Sequence, residues 1–219
     1  MNNQTYWDKR YSQGRLWGDN PCPSAVRSFP HFTRLGVKNV LVPGCGYGRN
    51  AVYFALQGFD VTAFDLSNVS ILHAKALAAE QSVDVPFFQG DLFDIDFLRG
   101  KKFDAVYLSY VIHLFLKDQR ESLLKRMTEW LKDNGILTFS CISTSDPHNY
   151  GFGLEVEPNT FVKHESKPLH FFTGDELKKL LEPDYRILEQ KIHTQTENDP
   201  SGESEELQLW FVAAEKCTK

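Results

Sequence analysis

The 219-residue sequence predicts an open α/β sheet, mostly parallel with some antiparallel edge, folded as one domain. Three observations predict it. Short runs that are apolar on both faces alternate with segments of helical spacing. The first of these runs enters a cluster of glycines at alternate positions, and the chain ends in two strand-like runs joined by an acidic turn. At about 150 residues per domain, the length fits one generous domain and leaves no room for a second large one.

The first run is Val40-Leu41-Val42, followed by Asp60 to Phe64, Pro86 to Phe88, Asp104 to Leu108 and Gly135 to Ser140. Runs apolar on both faces suit strands buried between two helix layers. Asn50 to Gln57 has helical spacing and is closed by Gly58, a residue suited to the position just past a helix. Ser67 is placed to cap a helix that runs through Ala74, Ala76, Ala78 and Ala79. Asp118 with Glu121 reads as a capping box before Leu123, Leu124, Met127 and Leu131. Thr173 with Glu176 reads as a second, before Leu177, Leu180 and Leu181.

Arg186 to Ile192 and Leu207 to Ala214 read as the terminal strand pair, with a solvated acidic turn over residues 197–206 between them. The stretch from Cys141 to Phe172 fits neither period. A loop of that length inside a compact domain is usually functional, so it is assigned to substrate. The single domain of residues 1–219 thus divides into four parts. Residues 1–35 cover a ligand, 36–140 bind it, 141–172 form a substrate-side insert, and 173–219 add a helix and the terminal hairpin.

Lys plus Arg number 24 against 29 for Asp plus Glu, a net charge of −5 with no basic run. Such a chain is a poor partner for nucleic acid or an anionic membrane. Cys22, Cys45, Cys141 and Cys217 are scattered without metal-site spacing and read as free thiols in a reducing compartment. The polar start runs into Asp8, Lys9 and Arg10, unlike a signal peptide. No apolar stretch approaches the roughly 20 residues of a membrane span. The expectation is a cytoplasmic chain, a monomer or homodimer, that binds no metal and takes a small molecule.

The sharpest signal is Val42-Pro43-Gly44-Cys45-Gly46-Tyr47-Gly48-Arg49-Asn50, a buried strand turning through glycines into a helix. Glycine lets the chain turn tightly and lets a ligand approach backbone N–H groups at the helix start. A dinucleotide site wants G-x-G-x-x-G; here the third glycine comes one residue early and Arg49 stands in its place. The G-x-G-x-G spacing instead resembles that of class I methyltransferases, whose ligand S-adenosylmethionine has no phosphate. Asp65, at the end of the second strand, is placed to accept both ribose hydroxyls as a carboxylate outside the core. Asp91 follows the third strand and is placed to accept the adenine amino group, with Leu92 against the ring.

Gly44-Cys45-Gly46-Tyr47-Gly48, Asp65, Gly90-Asp91 and Leu131-Lys132-Asp133-Asn134-Gly135 resemble the ordered motifs of class I S-adenosylmethionine-dependent methyltransferases over residues 36–140. Val42-Pro43-Gly44-Cys45-Gly46 is similar to the thiopurine and thiol/halide group, and Gly48-Arg49-Asn50 to the tellurite-resistance group. Tyr6-Trp7-Asp8-Lys9-Arg10-Tyr11 with Trp17 resembles the aromatic opening of both, which folds over the cofactor. His170-Phe171-Phe172-Thr173 before Glu176-Leu177 is a further shared feature. The resemblance implies a Rossmann-like, doubly wound sheet of about seven strands, with helices on both faces and a C-terminal antiparallel hairpin. It also implies S-adenosyl-L-methionine as cofactor, S-adenosyl-L-homocysteine as product and a small-molecule acceptor, with thiols and chalcogen oxyanions favoured.

Two departures stand out. Val42 stands where most of the class carries an acid, an absence the branch with Val-Pro-Gly shares, leaving the methionine ammonium to backbone carbonyls of the turn. Leu108-Ser109-Tyr110-Val111-Ile112-His113 replaces the Asp/Asn-Pro-Pro-Tyr/Phe motif of amino-methylating members.

The cofactor candidates are therefore Gly44, Cys45, Gly46, Gly48 and Asn50 on the turn, with Asp65, Leu66, Asp91, Leu92, Ser109 and Trp17. Trp17 offers an aromatic face to a sulfonium cation. Tyr110 and Arg49 are the substrate candidates, Arg49 either orienting an acidic acceptor or pairing with a surface acid. His113 is the catalytic candidate. A soft nucleophile needs no base, whereas a hard one would draw on His113, His148, His164 or His170. The competing functions are a nicotinamide-dependent oxidoreductase and a non-catalytic S-adenosylmethionine-binding protein.

Overall fold

The computed structural model describes residues 3–162, 167–182, 184–198 and 204–218. His164 and the centre of the acidic turn, residues 199–203, lie outside them. Helices α1 (Asn3–Tyr11) and α2 (Pro23–Arg34) precede β1 (Asn39–Pro43). Then follow α3 (Arg49–Leu56), β2 (Asp60–Asp65), α4 (Asn68–Glu80), β3 (Phe87–Gln89), β4 (Phe103–Ser109), α5 (Lys117–Trp130) and β5 (Leu131–Ile142). The rest is β6 (Leu154–Glu157), β7 (Thr160–Val162), β8 (Pro168–His170), α6 (Gly174–Leu181), β9 (Tyr185–Asn198) and β10 (Ser204–Lys216).

Seven strands form one sheet in the order β3-β2-β1-β4-β5-β10-β9. The first five run parallel, and β10 and β9 close the edge as an antiparallel hairpin. This is the open α/β sheet expected from the alternation of elements, in the doubly wound form that the resemblance implies. Two apolar clusters sandwich the sheet. Phe32, Phe54 and Tyr107 lie on one face; Phe64, Phe139 and Phe172 lie on the other, all buried.

Two elements went unread in the sequence. Residues 1–35 are not only a covering segment, because α2 is part of the core: Ala25 and Phe32 are fully buried. Its serines are bonded into the sheet, Ser24 to the Tyr107 hydroxyl at 2.7 Å and Ser28 to Thr138 at 2.9 Å. Pro30 lies inside this helix and removes a backbone donor. Burial of Phe32 outweighs it. The insert 141–172 is likewise not irregular: β6, β7 and β8 form a small antiparallel sheet. Strands of three or four residues are too short to establish a period.

The helix caps test the local reading. Ser67 caps α4 as expected, accepting the Ser70 N–H at 3.1 Å. Thr173 caps α6 by accepting the Glu176 N–H at 3.1 Å, but the Glu176 carboxylate turns to His170 Nε2 at 2.8 Å instead of closing the box. The Asp118/Glu121 box does not form, because α5 starts two residues early, with Leu116 in place of Asp118 at its cap. Its first N–H, that of Lys117, is instead accepted by Glu157 of the insert at 2.9 Å. Leu131 leaves the helix and opens β5. Gly58 ends α3 with φ +88°, as expected.

These caps predict an asymmetry. Thr173→Ala should lower unfolding stability in urea by about 1 kcal/mol, the usual worth of a side-chain cap. Asp118→Ala should cost less, since it removes only a charge near the helix dipole. Equal losses would show that Asp118 caps α5 after all.

Candidate active site

A cavity of about 380 Å³ opens where β1, β2, β3 and β4 end. The carboxyl ends of parallel strands are where open α/β sheets bind ligands. The glycine turn forms its floor, with Gly44, Gly46 and Gly48 at φ +60°, +55° and +84°. A Cβ on Gly44 would sit 2.7 Å from Val111 Cγ2, and one on Gly46 2.8 Å from the Tyr11 hydroxyl. Both positions are closed to any larger residue. Gly48, expected to meet the ligand, does not line the cavity. It packs below, where a Cβ would lie 2.9 Å from Ala74 and 3.0 Å from Phe87.

Asp65 is buried and lines the cavity. Its Oδ2 accepts the Gly46 N–H and its Oδ1 the Ser67 N–H, both at 2.9 Å. It therefore belongs to the frame as well as the crevice, contrary to the expectation of a carboxylate outside the core. Burial pushes its carboxyl up, against the pull of the two backbone N–H groups. Each oxygen keeps a lone pair for a further donor. Leu66, Asp91, Leu92 and Cys45 also line the cavity. Asp91 is exposed and accepts the Phe93 N–H at 2.9 Å.

Asn50 and Ser109 reach the cavity but already carry structural bonds. Asn50 accepts the Cys22 N–H at 2.8 Å, fixing the start of α2. Ser109 joins a chain of buried hydroxyls, 3.2 Å from Ser24 and 2.9 Å from Ser140. Arg49 reaches back to the N-terminal segment. Its Nη1 donates to the Trp17 carbonyl at 2.7 Å, and its guanidinium lies over Tyr47. Trp17 stacks on Tyr47 with centroids 6.1 Å apart, and Tyr11 meets both edge-on. The N-terminal aromatics thus form one wall of the cavity.

The opposite end holds Tyr110 and His113. Tyr110 adopts φ +61°, in the left-handed region that a bulky residue enters only when its surroundings hold it there. The 3-10 turn at Ile112–Leu114 buries His113, and its Nδ1 has no hydrogen-bond partner among the described residues. Burial, with a smaller contribution from His170, pushes its pKa down to about 3. A base is effective when its pKa lies near the working pH, so burial works against the general-base role expected for His113. His170 bonds Thr160 and Glu176, its packing role before the α6 cap, and His148 lies outside the cavity lining. Among the described residues no three His, Cys, Asp or Glu side chains gather to hold a metal.

Sequence reasoning missed Phe93, Phe115, Gln119 and Lys167, all on the cavity wall. Phe93, Phe115 and Lys167 stand singly outside helices and strands, where no period marks them, and Gln119 lies in the first turn of α5. Tyr47 was visible only as the variable residue of the glycine motif.

The histidine pKa has a pH consequence. A His whose folded pKa lies below its unfolded value of 6.5 stabilises fully above pH 6.5, and loses that contribution as pH falls toward 3. Within this window a single such group changes stability by about 1.4 kcal/mol per pH unit. His113→Asn should therefore show a shallower fall in stability than the parent between pH 6 and pH 4. Parallel curves would place His113 in contact with water.

Residues 40–135 match the methyltransferase domain family. A Geobacillus sp. (strain WCH70) protein named as a methyltransferase is 30% identical over 144 residues, 64% of this chain and 58% of that protein. TehB of Haemophilus influenzae (strain 10810), named as an S-adenosyl-L-methionine-dependent methyltransferase, is 27% identical over 169 residues, 75% of this chain and 53% of TehB. The chain thus spans little more than half the length of these relatives. The 1,6-didemethyltoxoflavin-N1-methyltransferase of Burkholderia thailandensis superposes with a TM-score of 0.68 at 23% identity, covering 98% of this chain and 84% of that one. Residues 40–135 carry a methyltransferase domain, and the chain resembles the class I S-adenosylmethionine-dependent methyltransferases, TehB among them.

Proposed function

We propose that the chain is an S-adenosylmethionine-dependent methyltransferase acting on a small molecule, with a thiol or another soft chalcogen nucleophile as the favoured acceptor. The carrying observation is the convergence of the glycine floor, Asp65 and Asp91 on one cavity at successive strand ends. The Burkholderia thailandensis neighbour was solved with S-adenosylhomocysteine and its acceptor bound, on a similar fold.

The residues fit the cofactor. Gly44 and Gly46 keep the floor open to a close backbone approach, and Asp65 has acceptor capacity left for the ribose hydroxyls. Asp91 and Leu92 serve the adenine, and Trp17 with α1 covers the crevice. Tyr110 and Arg49 bound the acceptor's space. When bound, S-adenosylmethionine supplies a methyl group already activated by its sulfonium.

The chain's task is then alignment, which supplies about 7–11 kcal/mol when two reactants are held in near-attack geometry. Trp7, Tyr110, Phe93 and Phe115 shape that space and exclude water. His113 stays neutral at physiological pH and offers a hydrogen bond to the acceptor, without taking a proton from it. Asp65 is committed to backbone N–H groups and Asp91 sits at the far end. The acceptor must therefore ionise on its own, as thiols and selenols do near neutral pH.

A nicotinamide-dependent oxidoreductase fits less well, because Arg49 occupies the position of the third dinucleotide glycine and is tied to Trp17. Calorimetry should accordingly show S-adenosylhomocysteine binding and no NAD binding; the reverse pattern would overturn the proposal. Asp65→Asn should weaken S-adenosylhomocysteine binding by roughly 1.5–3 kcal/mol, the scale of hydrogen bonds to a charged group. Unchanged affinity would remove Asp65 from the ribose. For turnover, the pH dependence of kcat/KM should follow the pKa of each thiol tested. His113→Asn should lose less than the roughly 100-fold that removing a general base costs. A limb fixed near pH 6.5 for every acceptor would restore His113 as the base.

A further inference from the structure

Charged groups line both ends of the cavity. The carboxylates in its wall, Asp65 and Asp91, stand at the ends of β2 and β3, where the ribose and adenine would lie. Two cations also line the cavity: Arg49 beside the glycine turn, tied to the Trp17 carbonyl, and Lys167 at the insert end. Lys167 immediately precedes β8, which packs beside the 3-10 turn that carries His113. Its ammonium donates to Asn3 Oδ1 and lies 4.5 Å from the Tyr6 ring centroid and 5.9 Å from that of Trp7. Aromatic faces attract a cation and hold it in place. The ammonium is thereby positioned at the rim of the acceptor space, bridging the insert and α1.

The remaining surface at this end is mostly aromatic and apolar. Phe93 and Phe115 meet edge to face with centroids 5.2 Å apart, and Trp7 and Tyr110 extend the wall. Gln119 adds a neutral amide. Such a lining takes a planar apolar body, with polar contact available at the buried neutral imidazole of His113, the amide of Gln119 and the ammonium of Lys167.

We infer that the methyl acceptor is a small planar molecule that carries an acidic group, and that Lys167 selects it by binding that group. The inference rests on the methyltransferase reading and names the acceptor of the same site. Lys167 is a specificity residue and takes no part in methyl transfer. An acid at this rim forms a charged hydrogen bond with the ammonium, while a neutral analogue of the same shape leaves the ammonium on Asn3.

The test uses protein saturated with S-adenosylhomocysteine, titrated with 4-mercaptobenzoate and with the matching 4-mercaptobenzamide in a calorimeter. The benzoate should bind at least 10-fold more tightly than the amide. Lys167→Met should abolish this difference by weakening the benzoate alone, and Lys167→Arg should keep most of it. Each variant's affinity for S-adenosylhomocysteine and its thermal transition should match the parent, which separates loss of selection from loss of fold. Equal affinities for the two probes in the parent, no binding of either, or an equal loss on both in Lys167→Met would overturn the inference. A parent that fails to bind S-adenosylhomocysteine would overturn the methyltransferase reading instead.

Discussion

The Asp65 carboxylate holds the cavity together. One oxygen takes the N–H of Gly46 in the turn after β1, and the other takes the N–H of Ser67 at the start of α4. From Ser67 the connection continues, because its hydroxyl donates to Asp8 of α1 at 2.6 Å. Helix α1 then carries Tyr11 back over Gly46, where the two are in close approach. The ring closes on itself: carboxylate, glycine turn, N-terminal helix, serine cap, carboxylate. A charge buried this deeply is tolerated because its lone pairs meet N–H donors, and that requirement fixes the spacing between the turn and α4.

Much of this frame was legible in the sequence because it rests on local rules. The glycine cluster, the strand runs and the Ser67 and Thr173 caps each involve residues within a few positions of one another. The structure departs where a distant residue supplies the deciding contact. Glu157 caps α5 from the insert, and this displaced the expected box at Asp118. Glu176 found His170 in place of its own helix start. Helix α2 is held by hydroxyls on β4 and β5, partners that no window around it contains. At the site, residues on strand ends could be read from the fold they imply. Phe115 and Lys167, standing alone outside helices and strands, could not.

The insert behaves as a part of the domain and not as an appendage. Asp146 accepts the Gln208 N–H at 2.9 Å, and the Trp210 indole donates to the Phe172 carbonyl at the same distance. Glu157 reaches Arg120 as well as the start of α5. Arg120 is almost wholly buried; burial lowers its pKa while Glu176 and Glu157 act in the opposite direction. Paired charges at this depth are worth little as net stability but hold elements in one register. The insert side of the cavity is therefore braced against α5 and β10, while the Asp65 side is braced against α4.

The close approach of Tyr11 to Gly46 turns two distant positions into a single steric choice. A side chain at 46 and an aromatic ring at 11 compete for the same volume. In a homologous chain, alanine or serine at the middle glycine thus implies that the N-terminal helix lies elsewhere or ends in a smaller residue. Glycine paired with an aromatic permits the helix to dock as it does here. The two letters, 35 positions apart in this chain, report whether a relative roofs its cavity with its own N-terminus.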